Sequence, residues 1–197
     1  MKTDYKGAVI FADKEGNVRI CYNKMVEMLQ SDIIGTFGKT FKLSTTKDLI
    51  LTINEGFNLS FIGLSNSNYK ISSTYPIGEE LSLLMDWDAD FKSNFAYFVL
   101  SNGTILIFDM TNKKKTMYNV EQKCYMSLSP DDRKFTALKL NFNSKYLAVA
   151  CITTQCKKKE NIIYVYKVII DQKRDIRLAL AAQTCIENTW EGSKLGS

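Results

Sequence analysis

The chain has 197 residues, 45% hydrophobic and 12% aromatic, which is enough apolar side chain for a folded core and excludes a low-hydrophobicity disordered chain. The formal net charge of +5 is modest for this length and reads as an ordinary solvated surface. Five widely spaced cysteines, no CxxC pair and no histidine argue against a disulfide framework and a structural zinc site, and they remove the histidine-dependent acyl-transfer triads.

Residues 1–6 lack an apolar signal core, and no apolar run is long enough to span a bilayer, so a reducing, cytoplasmic compartment is expected. Asn58-Leu59-Ser60 and Asn102-Gly103-Thr104 match glycosylation sequons, which without a signal peptide are read as chance. Valine, isoleucine, phenylalanine, tyrosine and threonine are common and only two prolines occur, a balance that favours strands.

The first predicted strands are residues 7–12 and 18–22, joined by a turn at 13–17. Residues 25–29 follow after a turn at Asn23 and Lys24. No strand is predicted ahead of this group, so the chain is expected to begin inside a unit.

The second unit is complete, with strands at 40–44, 49–53, 58–62 and 69–74. Leu59 and Phe61 alternate with Asn58 and Ser60, the period-two signal of a half-buried strand. In the third unit, strands at 81–87 and 94–100 lead to an Asn102-Gly103 turn, which favours a tight hairpin with positive φ at both central positions. Then come a strand at 104–108, a lysine-rich turn at 111–115 and a strand at 116–120. A polar joining segment, 122–134, contains Ser129-Pro130-Asp131-Asp132, a strong turn signal.

The fourth unit has strands at 136–142 and 146–151, a longer loop at 153–160 and a strand at 161–167. Residues 176–181 are its last strand, although alanine and leucine there also suit a helix. Tyr164 and Tyr166 flank Val165, and one is expected between blades with the other on the opposite sheet surface. Residues 183–197 read as a tail or linker beyond the repeats, and the internal Ser-Lys-Leu is not a terminal address.

The turns at Gly16, Gly56, Gly103 and Asn161 lie about 40, 47 and 58 residues apart. Four strands per unit at such a period is the signature of a β-propeller, whose blades cover faces that a lone sheet cannot bury. The stretch Asn102-Gly103-Thr104-Ile105-Leu106-Ile107-Phe108-Asp109 resembles the WD-repeat family, with Phe108-Asp109 at the Trp-Asp position. Cys21-Tyr22, Ile62-Gly63 and Tyr166-Lys167 hold that position in the other units, and the family's Gly-His pair is missing. The resemblance covers residues 7–182. It implies an all-β, propeller-like fold of about four four-stranded antiparallel blades, the first incomplete. WD-type propellers usually carry six to eight blades, so a partial ring completed by further sequence or another polypeptide is expected.

The expected function is a non-enzymatic protein-interaction scaffold within a larger complex, with other protein subunits as partners, no membrane insertion and no cofactor. The lysine- and asparagine-rich, proline-poor composition fits an AT-rich genome such as a protist's, where a cytoskeletal or ciliary assembly is a natural home. Partner-binding candidates are Trp87, if it is exposed and not packed in the core, and Trp190, since tryptophan is favoured at binding hot spots, and the basic runs Lys113, Lys114, Lys115 and Lys157, Lys158, Lys159. Two alternatives accompany this reading. One is a nucleic-acid or acidic-lipid binder built on those lysines. The other is a metal-assisted hydrolase using Asp86, Asp88 and Asp90 around Trp87. A solvated turn is the bland account of that acid cluster, and turn capping is expected of Asp109. Cys151 and Cys156 flank a predicted loop and are a minor metal or redox candidate beside ordinary packing.

Overall fold

In a computed structural model, the described residues are 2–3, 9–12, 18–21, 37–44, 49–54, 56–65, 68–120, 133–155 and 158–187. They form antiparallel sheets with one short 3₁₀ helix, and the chain divides into two compact units, Met1–Ser82 and Leu83–Ser197.

The first unit opens with β1 (Lys2–Thr3), β2 (Val9–Ala12) and β3 (Val18–Cys21), a three-stranded meander. A strand therefore does precede the first predicted pair, because Lys2 and Thr3 pair with Ile10 and Val9. The predicted strand at 25–29 lies outside the described residues. A four-stranded meander follows: β4 (Phe37–Leu43), β5 (Leu49–Asn54), β6 (Asn58–Ser65) and β7 (Asn68–Pro76). Ile50, Leu51, Ile53, Leu59 and Ile62 supply its buried apolar side chains. Phe61 and Tyr75 meet edge-to-face at 5.3 Å.

Gly78, at φ +115°, turns the chain after β7, and its carbonyl accepts the Leu81 N–H, starting the 3₁₀ helix Glu79–Leu83. The strand predicted at 81–87 consequently begins only at Leu84. In the second unit, β8 (Leu84–Asp90), β9 (Phe95–Leu100), β10 (Thr104–Asp109) and β11 (Lys114–Asn119) form one meander. β12 (Arg133–Leu140), β13 (Tyr146–Gln155), β14 (Lys158–Ile170) and β15 (Ile176–Glu187) form the next. The strand reading of residues 176–181 holds, because Ile176, Leu178 and Leu180 face the core while Arg177, Ala179 and Ala181 are exposed.

One hydrophobic core joins these two sheets. Phe95, Tyr97, Val99, Ile105 and Ile107 of the first pack with Leu138, Leu147, Val149, Cys151, Ile162 and Tyr164 of the second. Tyr166 shares the Tyr164 side of β14, with ring centroids 6.5 Å apart. The expectation that these two tyrosines face opposite ways fails for a simple reason: residues two apart on a strand share a face. Cys151 is a packing residue of this core, and Cys156 lies outside the described residues.

The hairpin between β9 and β10 is a three-residue loop, not the two-residue form expected. Gly103 alone takes positive φ, at +83°, and its N–H donates to Leu100 O at 3.0 Å. Asn102 instead uses its side-chain oxygen to accept the Thr104 N–H at 3.0 Å. A Cβ at Gly103 would stand 2.8 Å from Phe135 Cε2 on β12. Gly103→Ala combines this clash with backbone strain, and chemical denaturation should show a loss of about 1–3 kcal/mol. An unchanged midpoint would mean that β12 does not pack on this turn.

Candidate functional site

Aspartate is a poor strand former, yet Asp86, Asp88 and Asp90 all lie within β8. Their partners explain why. Leu138 N–H of β12 donates to Asp86 Oδ2 at 2.9 Å, and Leu140 N–H donates to Asp88 Oδ2 at 3.2 Å. The carboxylates stand two residues apart on one strand and meet donors two residues apart on another, so the periods match. Each aspartate also accepts the next residue's N–H through Oδ1: Trp87 at 2.8 Å and Ala89 at 3.0 Å. Lys139 Nζ lies 2.7 Å from Asp88 Oδ2. Asp90 caps the β8–β9 turn by accepting the N–H groups of Lys92 and Ser93.

The acid cluster is therefore neither a solvated turn nor an open ligand set. Its oxygens hold one sheet to the next, and among the described residues no three His, Cys, Asp or Glu side chains converge to hold a metal ion. Sequence reasoning missed this role because the donors lie 52 residues away.

Trp87, an anchor candidate only if exposed, is 1% exposed and stacks on Phe98 with ring centroids 5.9 Å apart, which is the packing alternative. The register sets Trp87 with Phe98 on one face of the sheet, opposite to Asp86 and Asp88, which share the face of Val99 and Tyr97.

A second group of contacts gathers at the turn between β14 and β15. Arg174, at φ +65°, donates from Nε to Asp109 Oδ2 at 2.9 Å and from Nη2 to Asp109 Oδ1 at 2.8 Å. Nη2 also donates to Ser93 O at 2.7 Å, and the guanidinium lies 4.6 Å from the centre of the Phe95 ring. Asp109 caps its own turn as expected, accepting the N–H groups of Thr111 and Asn112. Its pairing with Arg174 had no local sequence signal. Burial works against ionising the Asp109 carboxyl, but Arg174 and the two turn amides outweigh it and hold its pKa below the ordinary carboxylate range. Beside it, Tyr118 donates its hydroxyl to Ile176 O. Burial first, then the charge of Asp90, raises the pKa of the fully buried Tyr97 phenol.

The basic runs do not form the loop patches expected. Only Lys113 lies in the β10–β11 turn, at φ +56°. Lys114 and Lys115 pair with Asp109 and Phe108 as the start of β11. Lys114 Nζ also bonds Asp175 at 2.7 Å, which lowers that carboxyl's pKa. Lys158 and Lys159 lie in β14, paired with Gln155 and Thr154, because β13 and β14 extend through most of the predicted loop. Lys157 and Trp190 lie outside the described residues.

No family model matches the chain, and no curated protein matches it in sequence. Solved structures do match its fold, and these are β-propellers. Hsv2 of Kluyveromyces lactis is 10% identical at a TM-score of 0.56, over 90% of this chain and 59% of that one. Hsv2 of Kluyveromyces marxianus is 11% identical at 0.52, over 90% and 56%. The tricorn protease is 14% identical at 0.59, over 90% and 16%. The chain thus spans little more than half of either Hsv2 structure. These likenesses show the fold: an all-β, propeller-like arrangement that a partial propeller fits.

Asp88→Ala leaves the buried Leu140 N–H without its acceptor and should cost about 1–3 kcal/mol, while Asp88→Asn keeps an acceptor and loses less. A calcium or magnesium titration should not distinguish Asp88→Asn from the natural chain, and a binding signal lost in that variant would restore the metal reading. Asp109 has a depressed folded-state pKa, so its stabilisation is complete above the unfolded carboxylate value of about 3.9 and is lost as pH falls through the folded value. The stability difference between the natural chain and Asp109→Asn should be constant from neutral pH to about 5 and shrink below about 4. A difference that grows on acidification would contradict the Arg174 pairing.

Proposed function

We propose that this chain is a non-enzymatic, divergent WD-like propeller scaffold and a subunit of a larger protein complex. One observation carries the reading: the acid cluster best suited to chemistry is engaged by the chain's own backbone at β12. The WD-like assignment rests on Phe108-Asp109, since Asp109 ends the third strand of its blade and caps the turn that follows. A propeller fold alone does not decide activity, and the tricorn protease shows a propeller chain named for an enzyme. Other protein subunits are the proposed partners, one of them completing the ring. A cytoplasmic setting in a cytoskeletal or ciliary assembly is the proposed location, supported by the lysine- and asparagine-rich composition.

The test is the native mass of the endogenous protein after gentle lysis, by size exclusion with light scattering. A scaffold subunit elutes in a complex heavier than one chain and remains there from about 0.1 to 0.5 M salt. A complex that dissolves over that range and contains nucleic acid or lipid would favour the basic-patch reading. A lone chain in fresh lysate at every salt concentration would overturn the scaffold.

A further inference from the structure

The blade β12–β15 has two unlike faces. One packs into the shared core. The other is fixed by register: Ala148 pairs with Val165, Ala150 with Ile163, and Ile152 with Asn161. The apolar side chains among them, Ala148, Ala150, Ile152, Ile163 and Val165, are half-buried, not fully covered, whereas β9 is buried at every position. Tyr146 and Ile169, two of the large hydrophobic residues that the surface exposes, at 41% and 42%, share this outward face. The charged side chains described on it are Lys134, Lys139, Lys167 and Arg177, all cationic and all exposed. Lys139 shares its charge with Asp88 and Arg177 with the nearby Asp175, and Lys134 and Lys167 leave the rim positive.

We infer that this face docks the sheet face of a partner protein that has an apolar centre and a rim of Asp and Glu. The inference rests on the scaffold reading and specifies its partner. The small centre of Ala148 and Ala150 allows close sheet-on-sheet approach, and the basic rim selects an acidic counterpart. A second copy is a poor occupant, because a two-fold pairing of this face sets cationic rim against cationic rim.

A photo-crosslinking residue placed at Ile169 in the full chain, expressed in the source cells, reads out the occupant. Met117 on β11, 51% exposed, serves as the control position. The expected result at Ile169 is one discrete protein adduct, whose cross-linked peptide alternates apolar residues and is flanked by Asp or Glu. Lys167→Glu with Arg177→Glu should lower its yield about tenfold or more, with the strand circular dichroism unchanged. Lys167→Gln with Arg177→Gln, which removes charge without reversing it, should lower it less.

An adduct with a second copy, or a protein adduct insensitive to charge reversal, would overturn the proposal. So would charge-dependent sedimentation of the purified chain with phosphatidylserine–phosphatidylcholine vesicles without a protein adduct, which would assign the face to an acidic membrane surface. If Met117 yields a partner and Ile169 does not, this face is wrong and the scaffold stands. If neither position yields an adduct and the native mass is that of one chain, both readings fall.

Discussion

The second unit depends on how the edge of β12 is satisfied. A strand at the margin of a sheet presents a row of N–H groups that water, another strand or a side chain must accept. Here Leu138 and Leu140 turn their N–H groups away from β13 and toward the carboxylates of Asp86 and Asp88. The donors and acceptors come from two different sheets, so the bonds fix the relative position of those sheets. They also occupy two of the edge amides that another chain could pair with. The unusual content of β8 follows: aspartates at alternate positions reach across, and Trp87 between them is buried against Phe98 on the other face.

The same two sheets are tied again around the β14–β15 turn and at β11. Arg174 reaches Asp109, Ser93 and Phe95 together, and Tyr118 reaches Ile176. A bidentate guanidinium–carboxylate pair is directional, and its Asp109 side is only 5% exposed, so it constrains geometry more than a surface ion pair would. Between the edge bonds of β8 and this second group lies the shared core. Polar groups that resemble a site in one dimension thus belong to the packing. On the proposed scaffold reading, the outward face of the β12–β15 blade is a surface left to a partner.

Much of this architecture was legible from residue order. The run from Phe95 to Asp109 declares two strands around a glycine turn, and the β12–β15 strands follow from alternation in Leu147, Val149, Cys151 and in Ile162, Tyr164, Tyr166. Local rules failed where a distant residue decided the outcome. Asp86 and Asp88 look like turn formers until their acceptor role toward β12 is known. Trp87 looks exposable until the pleat sets it opposite those acids. Arg174 sits in a polar turn with nothing nearby in sequence to reveal Asp109. Lys158 and Lys159 read as loop because their charge conceals the capacity of Thr153 and Thr154 to extend a ladder.

The central claim is that the β8 carboxylates cap the β12 edge, and residue-resolved amide hydrogen exchange on the folded chain tests it most directly. The account predicts that the Leu138 and Leu140 amides exchange about as slowly as that of Val149, which lies inside the β12–β13–β14 ladder. Exchange at these two amides as fast as at the exposed turn residue Asn143 would contradict it.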